Sequence, residues 1–420
     1  MRNINILYII NLFSGMGSSI FAPLFPIIGQ KYNLSNSLIG FLIGIFSLIN
    51  LFISSSNNKF RKKFSENKLL FFATFFEATC VFSYGFLSFI KSFHILISLI
   101  ILLRIIHGTF SRIINTSIYS LSIYLSNPFE TQKIIGNFKK AYFIGIIIGP
   151  ILASILYKLG GYTLPFIIIG ICIYISSFLS TLIDKEMTNI QNGIIVNYYE
   201  QIKNYMKNKE IIIILGTFLY GFISKTFFYP CLIGHLEKNF DLSITFCCLL
   251  IIIISISYYL VLQNLDSINN KYGFYGAVFI GLLLISLGNV FTYPLVPIPK
   301  SIIFMILGFA CIGGGTAIIF ISGLFLLSLS IKNIDFNMND EEINEITSSM
   351  DLFMNNFGEF FGPVFGGMMS DYLGFKYCCF VVFLIGVFYT CLYFVYFRQN
   401  ILEDLKKKNN LIFDKKTKLN

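Results

Sequence analysis

Six ionisable side chains lie inside stretches of sequence that are otherwise apolar: Glu77, Arg104, His107, Arg112, Lys225 and Glu359. Charge placed in an apolar medium is costly unless it is paired, so such residues are seldom idle. A carboxylate there can take up and release a proton, and a cation can hold a counter-charge. At ~1.5 Å per residue, Glu77 sits roughly 13 Å along its apolar run, about level with Arg112 on the next. Lys225 and Glu359 both sit about 21 Å along theirs by the same reckoning. Two ion pairs are therefore expected, Glu77–Arg112 and Lys225–Glu359. Arg104 shares one helical face with Gly108 and Arg112. It either lines an aqueous path or anchors its helix on backbone carbonyls. His107 either titrates near neutral pH or packs as a neutral ring.

A second pattern is made of absent side chains. Gly136, Gly145 and Gly149 are followed directly by Pro150, and the chain repeats the device at Gly358, Gly362, Pro363, Gly366 and Gly367. At 100° per residue, positions four apart lie within ~40° of each other, so Gly145 and Gly149 form a small stripe. Small residues in such a stripe let another backbone approach closely. A proline behind it removes a backbone donor and bends the helix. The pattern is expected to mark a gating seam between two halves of the molecule, with ordinary small-residue packing as the plainer reading.

The elements that must hold these residues follow from composition. The chain is 55% hydrophobic and only 12% charged, with mean hydropathy +0.75, too little charge to cover a soluble protein of 420 residues. Apolar runs recur at 5–28, 36–56, 69–90, 95–124, 134–157, 163–183, 211–234, 243–263, 273–293, 301–330, 345–369 and 376–397. Each is long enough to span a ~30 Å hydrocarbon core. The expected fold is an all-α membrane protein with twelve transmembrane helices in two pseudo-symmetric six-helix bundles, residues 1–183 and 211–397. A cytosolic central loop at 184–210 joins them, and a basic cytosolic tail follows at 398–420.

Lysine and arginine orient the spans. With the N terminus in the cytosol, the basic clusters at 59–68, 203–209 and 398–418 all fall inside. Outside there remain Lys31, Lys91, Lys158, Lys238, Lys300 and Lys376. Both termini are then cytosolic, and the net charge of +10 is a topology signal rather than a nucleic-acid footprint. The cysteines fall in apolar runs without a CxxC and behave as small apolar residues. No metal site, cofactor or enzyme motif is read from the sequence. Asp351, Lys139 and Lys140 lie nearer the cytosolic ends, where long side chains snorkel.

The halves resemble each other. PLFPIIGQKYNLS at 23–35 lines up with CLIGHLEKNFDLS at 231–243, and GPILASILYKLGGY at 149–162 with GPVFGGMMSDYLGF at 362–375. A six-helix unit used twice is a transporter architecture. The spacing G-x8-G-x3-G-P at 136–150 resembles the antiporter signature of the major facilitator superfamily. RIIHG at 104–108 resembles its R-x-x-Q-G signature, with His107 in place of glutamine. FAPLFPIIGQKYNLSNSLIG at 21–40, together with 149–170 and 230–243, looks like the vesicular amine and polyamine branch of the drug:proton antiporters. The resemblance implies alternating access and proton-coupled antiport of a small organic solute, amine-like or drug-like, by a monomer in the lipid bilayer. It also implies that Arg104 faces a cavity and assists movement of proton or substrate. The usual G-x-x-x-D-R-x-G-R-R loop is reduced here to KFRKKFSENK (59–68), and Lys139 and Lys140 stand where amine-transporting relatives carry an acid. A facilitative organic-anion carrier and a non-transporting receptor on a carrier fold are the alternatives. The sequence leaves open whether the membrane is the plasma membrane or that of a vesicle or vacuole.

Overall fold

In hydrocarbon every backbone donor and acceptor must be satisfied within the chain, which leaves helices as the economical answer to long apolar runs. The computed structural model bears this out. It describes residues 2–56, 65–125, 128–183, 203–292, 301–336 and 338–417. The first half holds α1 (Arg2–Lys31), α2 (Asn36–Ser56), α3 (Glu66–Tyr84, tightening into a 3-10 turn over Gly85–Phe89), α4 (Phe93–Leu125), α5 (Pro128–Gly160) and α6 (Thr163–Ser180). The second holds α7 (Lys209–Thr226), α8 (Leu232–Phe240), α9 (Ile244–Gln263), α10 (Leu265–Thr292), α11 (Ile302–Ile334), α12 (Asp340–Leu373) and α13 (Phe375–Thr417). Most of the 184–210 loop and of the 59–68 segment lie outside the described residues, as do the tail side chains beyond Asp404.

Among the described residues, ten helical segments are long and apolar enough to cross a membrane. The seventh and eleventh runs fall short of that measure for a reason visible in their residues. Lys209, Glu210 and Lys225 crowd the eighteen residues of α7, and Asp351 and Glu359 interrupt α12. The seventh run also differs from the continuous helix expected over 211–234. Its helix stops at Thr226 and resumes at Leu232. Pro230, with no backbone donor, lies in the gap. A discontinuous helix of this kind leaves carbonyls and amides available at membrane depth.

Helix starts are set by side-chain caps. The Asn208 carboxamide oxygen accepts from Glu210 N, Ser301 Oγ from Ile303 N and Asn339 Oδ1 from Glu342 N. Gly273 kinks α10 at φ 70° and ψ 171°, a conformation open in practice only to glycine.

By internal packing the chain divides into two compact units. The first contains Met1–Ile195 with Tyr229–Ile252 and Gly366–Met368. The second contains Val196–Phe228, Ile253–Phe365 and Met369–Asn420. A core in the first unit gathers Ile6, Leu7 and Ile10 of α1, Leu69 and Leu70 of α3, Ile113, Ile114 and Ile118 of α4, and Phe138 of α5. In the second unit, α10 and α11 cross where glycines face glycines. A Cβ at Gly288 would stand 2.7 Å from the Gly308 carbonyl, and one at Gly315 would stand 2.7 Å from that of Gly281.

Candidate functional site

Three helices of the first unit carry polar groups on faces that meet. On α1, Ser14 and Phe21 are seven residues apart, and so are Glu77 and Tyr84 on α3. Two helical turns bring each pair back to nearly one side. On α4, Arg104 and His107 are three apart and share a face. Glu77, Tyr84 and His107 have no solvent exposure, and Arg104 has 3%.

The groups form one chain of contacts. Ser14 Oγ donates to Glu77 Oε1 at 2.8 Å. His107 Nε2 stands 3.6 Å from the same oxygen, and His107 Nδ1 lies 3.1 Å from the Tyr84 hydroxyl. Arg104 is an electrostatic neighbour of the Tyr84 hydroxyl. Chemistry orders the donors: an ionised carboxylate only accepts, so Nε2 carries the hydrogen that faces Glu77, and Nδ1 accepts from Tyr84. The Arg104 guanidinium donates to the carbonyl of Ile43 on α2. It is held between the faces of Phe21 and Phe46, 4.4 and 4.9 Å from their ring centroids, which suits a cation removed from water. Glu77 Oε2 accepts no hydrogen bond. One carboxylate oxygen is therefore engaged and the other is open to a proton.

The structure thus brings together three of the six residues singled out by type and spacing: Glu77, Arg104 and His107. Arg104 does anchor on a backbone carbonyl, and His107 is packed, but both do so as members of the same chain. Tyr84 and Ser14 were missed. The seven-residue step from Glu77 to Tyr84 was the available signal.

Neither expected ion pair is made among the described residues. Glu77 is met by His107 rather than Arg112. His107 comes five residues earlier on α4, ~7.5 Å along the helix, an offset that a residue count without helix tilt does not resolve. Arg112 is half-buried, and its electrostatic neighbour is Tyr119 on its own helix. Lys225 occupies the last turn of α7, where the negative end of the helix dipole favours a cation. The depth reckoning had assumed that this helix ran on unbroken. Glu359 is half-buried on α12.

The small-residue stripes are also placed differently from the expected seam between halves. A Cβ on Gly145 would meet the Leu12 carbonyl and stand 3.0 Å from Met16 N, both on α1. One on Gly149 would meet Ser19 Oγ and the backbone of Met16. On α12, Gly358 faces Phe222 and Gly362 faces Ile223 and Thr226, all of α7. Gly145 and Gly149 thus close on the first helix of their own half, and Gly358 and Gly362 on that of theirs. Gly367 abuts the backbone of Asn36, where α2 begins, and Gly136 has nothing within 4 Å. Pro150 and Pro363 lie within α5 and α12.

The second unit buries a polar cluster too, but without charge. Asn289 Nδ2 of α10 donates to Tyr220 Oη and Ser224 Oγ of α7, at 3.1 and 3.2 Å. The Tyr220 hydroxyl lies 3.3 Å from Ser286 Oγ. Each half therefore joins its first and third spans by hydrogen bonds, and in the second half Tyr275 Oη of α10 also donates to Glu210 Oε1 of α7 at 3.1 Å. Among the described residues no cluster of His, Cys, Asp and Glu could hold a metal ion.

These features define a class, the polytopic helical transporters. Comparison with known proteins narrows it. The family model described as Major Facilitator Superfamily matches residues 7–336, and the chain belongs to that superfamily. It is 22% identical over 381 residues to an uncharacterized MFS-type transporter of Methanocaldococcus jannaschii, covering 89% of this chain and 92% of the relative. It is 24% identical over 379 residues to the MFS-type transporter SLC18B1 of Mus musculus, covering 87% of this chain and 80% of that one. Its fold matches the crystal structure of the nucleoside transporter NupG with a TM-score of 0.74 at 13% identity, over 94% of this chain and 99% of that one.

Proposed function

We propose that the chain is a secondary active transporter that moves a small organic solute by alternating access, driven by proton antiport, as a monomer with both termini in the cytosol. The observation that carries this reading is the buried succession Ser14–Glu77–His107–Tyr84–Arg104, in which a 3.6 Å contact joins His107 to Glu77. A proton gained at Glu77 removes the negative charge that orients His107. The imidazole no longer has to hold its hydrogen toward α3, and the Tyr84 hydroxyl loses its fixed acceptor. Arg104, which spans from Tyr84 on α3 to the Ile43 carbonyl on α2, feels the change. Proton occupancy at one buried carboxyl is thereby coupled to the packing of α2, α3 and α4, and an exchange cycle needs such a coupling. In this reading the glycine stripes let α5 and α12 slide against α1 and α7, serving as gating hinges within each half. The resemblance to amine carriers makes an organic amine or drug-like cation the first solute to test.

A second reading rests on Arg112 and Lys225. Both are half-buried cations that pair with no carboxylate among the described residues. They suit a facilitative carrier of organic anions without proton coupling.

Proteoliposomes with an imposed pH gradient separate the two. Wild-type protein should accumulate at least one solute from a panel of organic amines and drug-like cations only when the gradient is present. Glu77→Gln should lower that accumulation at least about tenfold, a change of about 1.4 kcal/mol in the driven step. Uptake of an organic anion that ignores the gradient would establish the second reading. No flux of any solute would favour a receptor built on a carrier fold.

A further inference from the structure

Within the first unit, four helix ends converge on one carboxyl. Glu237 lies on α8, outside the apolar spans, and is half-buried. From α1, the Gln30 amide, oriented so that both its ends are satisfied, donates its nitrogen to Glu237 Oε2 at 3.2 Å and accepts from Gly234 N at 2.9 Å. Tyr157 of α5 and Cys247 and Cys248 of α9 are electrostatic neighbours of the carboxyl. On α8 itself the titratable side chains near it in sequence are His235, Lys238 and Asp241 at the C-cap, and among the described residues no cation forms an ion pair with it. Burial raises the Glu237 carboxyl above its usual range. The fit is close: a Cβ on Gly234 would collide with the Gln30 amide. Nearby, Ser154 Oγ of α5 donates to the Thr245 carbonyl of α9 at 3.3 Å. In the proposed orientation all these ends lie on the outer side of the membrane.

We propose that Gln30, Gly234 and Glu237 form an outer latch that closes around a proton on Glu237. The argument rests on the alternating-access reading above. Closure buries the carboxyl without a cation, so the closed state favours its neutral form. Opening returns it to water, and the proton leaves. By linkage, a state that binds the proton more tightly is favoured as pH falls. Acid on the outer side therefore holds the latch shut, and alkali releases it. The proton on Glu237 is separate from the one exchanged at Glu77, because Glu237 lies on α8 outside the apolar spans and Glu77 lies within α3.

The chain carries its own reporters. Cys247 and Cys248, at 0% and 1% exposure, become reachable from outside only if these helix ends part. A membrane-impermeant maleimide, applied to sealed right-side-out vesicles holding the full chain, is read out at each cysteine by mass spectrometry from about pH 5.5 to about pH 8, a range that covers a raised carboxyl. Glu237→Gln supplies a permanently neutral side chain, and dividing by its rate removes the pH dependence of the thiol itself. The wild-type rate relative to Glu237→Gln should rise at least about threefold toward alkaline pH. Gly234→Ala, with Gln30→Ala as a milder second variant, should label faster than wild type at every pH. A flat ratio, or Glu237→Gln labelling faster than wild type throughout, overturns the latch. Labelling of neither cysteine in any variant overturns the alternating-access reading along with it.

Discussion

Tyr84 is the residue whose role the structure defines most sharply. Its hydroxyl stands next to His107 and has Arg104 as an electrostatic neighbour, and its ring packs on Phe21 with centroids 4.5 Å apart. Removing only the oxygen leaves that packing and cuts the chain. Tyr84→Phe should therefore leave thermal stability within about 1–2 kcal/mol of wild type, the range for one lost buried hydrogen bond with a neighbour left unpaired. Gradient-driven uptake should fall several-fold in the same variant. A merely structural tyrosine would show the reverse, a loss of stability with driven uptake intact. At this scale the sequence was a partial guide. Glu77, Arg104 and His107 stood out because charge is rare in apolar runs. Their mutual arrangement did not, because a count of residues along straight helices carries no tilt or rotation. Arg112 was assigned to Glu77 for that reason. Ser14 and Tyr84 are ordinary residue types in such runs and gain meaning only from the faces they share.

Among the elements, the helices were the most legible, since runs of apolar residues have little choice but to be helical in hydrocarbon. The break in α7 was less so. Pro230 marks it, yet a proline alone also permits a kinked, continuous helix. The glycine stripes were visible as stripes, but periodicity names no partner: Gly145 and Gly149 face α1, Gly358 and Gly362 face α7, and Gly367 abuts Asn36 of the first half. Their structural claim can be tested without any solute. Gly145→Val places a branched side chain against the Leu12 carbonyl and Met16 N, and overpacking of this kind costs about 1–3 kcal/mol. Detergent-solubilised Gly145→Val should unfold at a lower temperature than wild type. Gly136→Ala, whose Cβ meets nothing within 4 Å, should match or slightly exceed wild type, because alanine favours helix by up to about 1 kcal/mol over glycine. Equal loss in both variants would mean that the α1–α5 crossing does not depend on close backbone approach. The facing glycines of α10 and α11 went unread, since seven-residue spacing on two separate helices has no signature in one sequence.

The molecule as a whole has two related halves treated unequally. The repeat is read from the matched segments at 23–35 and 231–243. The inequality was not legible. The first half joins its first and third spans through Ser14 and Glu77, the second through Tyr220, Ser224 and Asn289. In the proposed reading the coupled proton sits at Glu77 of the first half, and the Asn289 cluster of the second has no charge to change. Asn289→Leu should accordingly cost stability while leaving the pH dependence of whatever transport remains unchanged, as measured by uptake over a series of imposed gradients.

The decisive comparison is between exchange and net driven transport in Glu77→Gln. Reconstituted protein is loaded with unlabelled solute identified in the uptake screen, and entry of labelled solute is followed first with no pH gradient and then with one. If Glu77 carries the coupled proton, its glutamine variant should exchange solute near the wild-type rate and fail to concentrate it when the gradient is imposed. Concentration against a gradient that persists in Glu77→Gln would contradict the assignment.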